Sequence, residues 1–541
     1  MDYPRSQVTN AVGNGTGPVG SLRPSGPAAS RRPVAWPVLA LGGAAGLVGA
    51  LGMTLLLLIL RAAVGSVTPS EMVGDRLTAF ISIKQFFSLL DQFGGYSGLK
   101  QAGGGGVLAG QLVVGVLAGL LFAVLVELRR MRSLVVGGAI VGALWLLTLI
   151  LLWPNLATNY NGLPPGAARL VTALALLIAY AAYGIVLAGT FRLLRTRDEA
   201  RLEPVSAGRR AVVLGGIGAV LAAATGLLVR QFVQRATFAY DGTEYRGDNL
   251  QPITPNDRFY TVTKNIVDPD PTASVWRLEV GGLVDRPRTY DFDALAALPS
   301  TTQETTLMCI SNYVGGGLMS NARWTGLPLR DLLTAAGPQA AGTDVTFYGA
   351  DGYTVSYPLV KAMEPTTFLA YQMNGEPLPP HHGYPARVIS PGLFGLNSVK
   401  WVTRIELGNQ HVRGFYEEQG WGPSFVVPNR STFFVGDFET PFTPGGTIPV
   451  RGNAFGGDRG VASVDVSPDA GQTWLPAHID YPGTDVTWAF WTFDWQPKAP
   501  GDYQLVARTT DRQGGVQTSE YRDTAPQGAT GFPGLRVRVT A

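Results

Sequence analysis

The chain has 541 residues, enough for several domains, with 42 Lys and Arg against 39 Asp and Glu and a net charge of +3. No basic block of the kind that grips a phosphate backbone stands out, which excludes a nucleic-acid partner. A single cysteine, Cys309, excludes an intrachain disulfide and a CxxC metal site.

Mean hydropathy is positive, +0.14, although the C-terminal half is ordinarily polar, so the apolar excess lies towards the N-terminus. Residues 1–33 are rich in Gly, Pro and Ser without an apolar period and read as a disordered cytoplasmic tail. Five runs then reach the roughly 20 apolar residues that cross a bilayer, at about 34–60, 105–127, 134–153, 168–191 and 211–229. Arginines at 23, 31 and 32, at 129, 130 and 132, and between 192 and 210 all fall on one face if the N-terminus is cytoplasmic. That orientation makes a multi-pass protein of the plasma (inner) membrane, with everything after residue 230 outside. The spans carry almost no mid-membrane charge, as expected of an anchor rather than a pump or channel. The first histidine is His381, so no span holds a histidine pair for haem, and no haem is expected in this chain. An amphipathic stretch around Leu77–Leu90 suits a loop helix near the outer interface. Arg209 and Arg210, just before the fifth run, read as a twin-arginine export signal or as ordinary positive-inside charge.

From about residue 236 the composition turns polar, with many aromatics, prolines and glycines. Strand patterns at Val275–Val280, Val345–Tyr348, Tyr353–Tyr357, Ala386–Ser390 and Val399–Glu406 alternate with short helical ones at Asp291–Leu298 and Leu329–Ala336, which predicts an α+β domain over 231–430. From 431 to 541 short strands recur about every ten residues, at Gly446–Asn453, Val461–Ser467, Trp474–Ile479, Thr487–Trp495, Tyr503–Thr509 and Arg536–Thr540. That spacing predicts an immunoglobulin-like β-sandwich, which alone would suit an interaction module.

Cys309 ends a β-like run and is followed by Ser311, Asn312 and the glycines 315–317. Such a thiol is a buried hydrophobe, a nucleophile or a single soft ligand to a metal-bearing cofactor, and the residues around it leave all three open.

Taken together, six stretches in order resemble the sulfite oxidase family of molybdopterin-dependent oxidoreductases over about 250–541. They are Thr254 to Tyr260 with Lys264 and Asn265; Leu307 to Asn312; Ser320 to Arg330; Leu369 to Leu378; His382 to Arg387; and Pro391 to Trp401. The resemblance implies a molybdenum–molybdopterin cofactor with Cys309 as the thiolate on the metal. It further implies that Asn256, Phe259, Tyr260, Asn312, His382, Arg387, Ser398 and Lys400 hold the pterin and its phosphate. Tyr371 falls at the family's active-site tyrosine, while Lys264 and Arg459 fall at positions that bind the substrate anion. It also implies a dimerisation role for the C-terminal domain, a small-molecule substrate, and a separate electron carrier, a cytochrome or a quinone-linked protein.

The chain departs from the pattern where substrate binds. Lys264-Asn265-Ile266 replaces an Arg-Asn-His run, and Tyr313 and Val314 stand where the family has two arginines. At about 1.5–3 kcal/mol per hydrogen bond to a charged group, those losses weaken a sulfite pocket. The expected activity is two-electron oxygen-atom transfer outside the membrane by an enzyme that is not a standard sulfite oxidase. Reduction of sulfoxides or other S- or N-oxides is the alternative on the same cofactor, and a non-enzymatic membrane-anchored interaction protein is the alternative without it.

Overall fold

The structure is a computed structural model that describes residues 36–78, 80–195, 204–235, 251–434 and 442–540. The N-terminal tail, most of the linker before residue 251 and the start of the sandwich at 435–441 lie outside the described residues.

Seven helices build the N-terminal half: α1 (Trp36–Val64), α2 (Pro69–Thr78), α3 (Ile83–Gln92), α4 (Tyr96–Leu128), α5 (Ser133–Leu151), α6 (Pro165–Arg195) and α7 (Pro204–Gln234). Five of them, all but α2 and α3, are long and apolar enough to cross a membrane. Arg209 and Arg210 fall inside the first turns of α7.

Small residues let α1 and α4 cross closely. A Cβ at Gly46 would stand 2.5 Å from the Gly115 carbonyl oxygen, and one at Gly119 would stand 2.7 Å from the Gly46 Cα. Gly42 and Gly46 on one helix and Gly115 and Gly119 on the other form the small-xxx-small pattern by which apolar helices bring their backbones together.

The amphipathic stretch around Leu77–Leu90 is not one helix. It breaks after Thr78, and Ser82 caps the next helix in a reciprocal box with Gln85. The second piece, α3, then turns Ile83 and Phe87 onto Trp421 of the C-terminal half, with Phe87 and Trp421 ring centroids 6.4 Å apart.

Ten strands follow: β1 (Leu278–Gly282), β2 (Arg288–Tyr290), β3 (Thr301–Met308), β4 (Met319–Pro328), β5 (Asp344–Gly349), β6 (Thr354–Pro358), β7 (Phe368–Met373), β8 (Glu376–Pro377), β9 (Arg387–Ile389) and β10 (Val402–Gly408). They form two sheets, β2-β1-β10-β5-β6 and β3-β4-β7-β8, with β9 joined to β7. Only β1 and β10 pair in parallel among these. The helix Leu329–Ala336 buries Leu329, Leu332, Leu333 and Ala336 and is closed by Gly337 in the left-handed region. Its apolar face joins both sheets in one core with Trp276, Phe347 and Val402.

The C-terminal part holds two four-stranded antiparallel sheets. One contains Arg430–Phe433, Ile448–Phe455, Ala489–Trp495 and His478–Tyr481, and the other Leu475–Pro476, Val461–Ser467, Gly501–Asp511 and Gly534–Val539. Their facing residues, including Val450, Val464, Trp491 and Leu505, share a single apolar core.

The two halves of the chain meet on the segment 261–268. Lys100 of α4 donates to the carbonyls of Thr263, at 3.2 Å, and of Asn265, and Tyr96 donates to the same Thr263 oxygen. Arg61 of α1 pairs with Glu71 at 2.8 Å and donates to the Val267 carbonyl at 3.2 Å. The Lys264 ammonium in turn reaches Asp75 of α2 at 3.0 Å.

If the α1–α4 crossing depends on absent side chains, Gly119→Leu lowers stability in detergent by about 1–3 kcal/mol or more through overpacking. Gly110→Leu on the same helix meets nothing within 4 Å and leaves stability unchanged. Unfolding of both variants under the same denaturing conditions checks this pair.

Candidate active site

Cys309 lies at the exit of β3, where the chain leaves the sheet and turns through a short loop. The loop is held from within and from without. Asn312 Oδ1 accepts from the Leu318 amide at 3.0 Å, and a Cβ at Gly316 would stand 2.5 Å from that oxygen. Arg430, buried on the first sandwich strand, reaches back to donate to the carbonyls of Asn312 at 3.0 Å and Tyr313 at 2.8 Å. The thiol itself is 8% exposed, with Sγ 3.0 Å from the Ser311 hydroxyl, and burial pushes its pKa up. Such a thiol ionises when a cation joins it.

It forms part of the wall of a cleft shared with Phe259, Tyr260, Lys264, His382, Arg387, Ser398 and Lys400. The wall segment owes its shape to local chemistry. Phe259 and Tyr260 stack at 5.4 Å, and Trp324 meets Phe259 edge-on at 5.6 Å. Gly383, at φ +112°, lets Arg387 and Lys400 converge, since a Cβ there would lie 3.0 Å from one side chain and 3.1 Å from the other. Trp401, at φ +52°, holds the backbone beside Lys400 in a conformation that costs on the order of 1–3 kcal/mol and anchors it with an indole bond to the Pro380 carbonyl at 2.7 Å.

Two cations on this wall are held by carbonyl oxygens rather than by ion pairs. Arg387 gives its guanidinium to the carbonyls of His382 at 3.1 Å and Ser398 at 3.2 Å, and its Nε is buried with no partner. Lys400 donates to the carbonyls of Val262 at 3.2 Å and His381 at 2.9 Å. Among the described residues neither cation has a carboxylate ion-pair partner. Burial lowers Arg387 to about 10 and Lys400 to about 8. His382 is pushed well below its usual range by burial and by the charges of His381, Arg387 and Lys400, so it is neutral and its Nε2 donates to the Asn256 carbonyl at 3.1 Å. An orphaned buried donor beside two cations that are bonded to carbonyls suits the phosphate of a bound cofactor. Among the described residues no cluster of three or more His, Cys, Asp or Glu could hold a metal, so a metal at Cys309 would take most of its ligands from the cofactor.

Not every residue expected at the site is there. Asn256 lines a separate shallow depression with Asn374 and Glu376, and only its carbonyl reaches the site, through His382. Asn312 braces the cysteine loop rather than facing the cleft. Two expected residues do not line the cleft. Tyr371 joins the core between the sheets, where it meets Phe292 edge-on at 6.3 Å, because on β7 it shares a face with Leu369 while Phe368 and Ala370 turn towards the cluster of Cys309. Arg459 is committed elsewhere: its Nε is 2.8 Å from Asp511, and it donates to the Val427 carbonyl and the Asn429 side chain. Besides Tyr260, the tyrosines that line the cleft are Tyr353 and Tyr416, and Asp351 is on the same wall. Tyr416 sits in an aromatic stretch, Phe415 to Trp421, whose clustering was a readable signal; nothing local singled out Tyr353 or Arg430.

Residues 265–416 match the oxidoreductase molybdopterin binding domain, and residues 439–524 match the Mo-co oxidoreductase dimerisation domain. The fold and site thus define a molybdopterin-dependent oxidoreductase, which sets aside the reading as a non-enzymatic interaction protein. Sulfite oxidase of Gallus gallus is 31% identical over 312 residues, covering 49% of this chain and 68% of that protein. The mitochondrial sulfite oxidase of Drosophila melanogaster is 31% identical over 325 residues, 50% of this chain and 56% of that one. The NADPH nitrate reductase of Fusarium oxysporum is 30% identical over 259 residues, 39% of this chain and 29% of that one. The chain belongs to the sulfite oxidase family, and it spans little more than half the length of the mitochondrial relatives it matches. Its cofactor is molybdenum–molybdopterin.

Lys400 carries its charge below about pH 8 and loses it above. Sulfate, which does not titrate in this range, is therefore expected to bind the cofactor-free protein several-fold more weakly at pH 9 than at pH 7, and Lys400→Gln flattens the dependence. Because the folded state sheds this proton before the unfolded chain does, stability of the cofactor-free protein rises as pH climbs from about 8 towards the ordinary lysine range. Calorimetric titration and thermal melts across that range check both signs.

Proposed function

We propose that the protein is a membrane-anchored, extracytoplasmic molybdenum enzyme that carries out two-electron oxygen-atom transfer on a small substrate and is distinct from the standard sulfite oxidases. The observation that carries this is one cleft whose wall combines two kinds of group. Arg387, Lys400 and Ser398 line it together with the chain's sole thiol. One molecule with a phosphate tail and a metal-bearing head would satisfy both.

When bound, the cofactor supplies a metal centre able to exchange an oxygen atom and two electrons with the substrate. The chain's own residues do the rest. Arg387 and Lys400 hold the phosphate, one as a planar fork and the other as a point charge. Neutral His382, Phe259 and Tyr260 wall the pterin and exclude water. Cys309 fixes the metal end as its thiolate, and the Ser311 hydroxyl, 3.0 Å away, donates to the sulfur once it is ionised. Tyr416 borders the space left for substrate and is its candidate hydrogen-bond donor, while the Tyr353 hydroxyl on the same wall donates to the Leu396 carbonyl at 2.8 Å.

In this reading residues 1–33 are a cytoplasmic tail, 34–230 carry five spans, 231–430 hold the cofactor and 431–541 form an immunoglobulin-like domain that pairs two copies of the chain. The arginine clusters between spans support the orientation, and Arg209 with Arg210 suit export of a domain folded around its cofactor. A separate cytochrome or quinone-linked carrier takes or gives the electrons, since the spans contain no histidine. One observation favours the second reading, reduction of an S- or N-oxide: the lysine in the substrate space is already paired with a carboxylate.

Purified wild-type protein should contain about one molybdenum per chain. Cys309→Ser should abolish turnover with artificial electron carriers, while the pterin released on denaturation stays near the wild-type amount because its phosphate anchor is intact. Turnover that survives the substitution overturns the assignment of the thiolate.

A further inference from the structure

Lys264 borders the cleft where the resemblance to sulfite oxidases expects an arginine, yet its charge is not left to face a substrate. Its ammonium lies 3.0 Å from Asp75, a residue 189 positions earlier on α2, with side-chain exposures of 6% and 23%. Burial would lower the Lys264 pKa, but the carboxylates of Asp75 and Asp351 outweigh it and hold the group above its ordinary range. The pair therefore carries no net charge into the cleft. Asp351 is a second carboxylate on the same wall, where it accepts from the Asn265 amide at 2.9 Å.

Other cations do not make up the difference. Tyr313 is 64% exposed, neither it nor Val314 lines the cleft, and Arg459 is held by Asp511. What remains around the substrate space is Tyr353, Tyr416, Ile310 and Leu396. A dianion needs several fixed, uncompensated donors and would here meet carboxylates instead. An uncharged molecule with a polarised S–O or N–O bond needs no fixed positive charge and is not repelled by that wall.

We propose that Asp75 is a specificity-determining positioning residue, which neutralises Lys264 from the N-terminal half, closes the cleft to sulfite-like dianions and reserves it for a small uncharged oxo compound such as a sulfoxide or an amine N-oxide. This rests on the molybdenum-enzyme reading above.

The test uses full-length protein purified with its molybdenum, metal content being measured on every sample, and sulfate as the dianion probe in calorimetric titration. Asp75→Asn frees the ammonium and should bind sulfate at least tenfold more tightly than wild type. Asp75→Glu keeps the charge and should behave as wild type. The double variant Asp75→Asn with Lys264→Met removes both charges and should return to wild-type affinity. A folded, metal-loaded Asp75→Asn protein that binds sulfate no more tightly than wild type overturns the proposal. So does a double variant that binds as tightly as the single one. Should Asp75→Asn alone fail to fold, the double variant decides, because an uncharged pair is easier to bury than a broken ion pair. Wild-type affinity in it then agrees, and a tenfold loss shows Lys264 to be an anion anchor after all. Lack of molybdenum in wild-type protein would retire the function proposed above, whereas an unshifted sulfate affinity in loaded protein retires only the role of Asp75.

Discussion

Two cations held by carbonyl oxygens, with no carboxylate ion pair among the described residues, set the terms for this fold. Arg387 and Lys400 have traded water for carbonyl oxygens, which satisfy part of their hydrogen bonding but leave the Arg387 Nε without a partner. The surrounding features keep that arrangement from collapsing. Gly383 lets the two side chains approach, Trp324 lies 5.0 Å under the guanidinium, and the left-handed backbone at Trp401 fixes the lysine. A chain that tolerates such a cost at one spot has a structural need for an anion there, and a phosphate-bearing cofactor meets it.

The N-terminal half is more than a tether. Lys100 and Tyr96 hold the Thr263 carbonyl, Arg61 holds that of Val267, and Asp75 holds the side chain of Lys264. Four side chains from three helices thus converge on one short segment whose other face lines the cleft. Segregated apolar spans could have been joined to the catalytic part by a flexible linker alone. Instead α3 also seats Phe87 against Trp421, and the Asn159 amide donates to the Ala350 carbonyl at 3.0 Å, so the contact is broad.

What could be read from the residues was what depends on neighbours in sequence. The five apolar runs and the helix Leu329–Ala336 show because hydrophobicity and its period are local. The strand Val461–Ser467 shows for the same reason. The ten-residue strand β4 was not legible, because Ser320, Asn321 and Thr325 break any alternation. Ser320 and Asn321 are buried with distant partners, such as the Pro252 carbonyl that accepts from Asn321 at 2.8 Å. Motif matching gathered Cys309, His382, Arg387, Ser398 and Lys400, and these do share a cleft. Tyr371 and Arg459 lie outside that cleft, because strand parity and a competing carboxylate decide their direction, neither of which a motif encodes. The pairing of Lys264 with a residue 189 positions away was beyond any sequence reading.

The grip on segment 261–268 has a thermodynamic consequence. Thr261 to Lys264 form part of the cleft wall, and two of them, Thr263 and Lys264, are bonded to α4 and α2. Occupancy of the cleft and docking of the helices therefore act on one shared element. If loading strengthens the junction, docking must strengthen cofactor binding by the same factor, since linkage is reciprocal. The apolar half then acts as a reporter of whether the catalytic half is full.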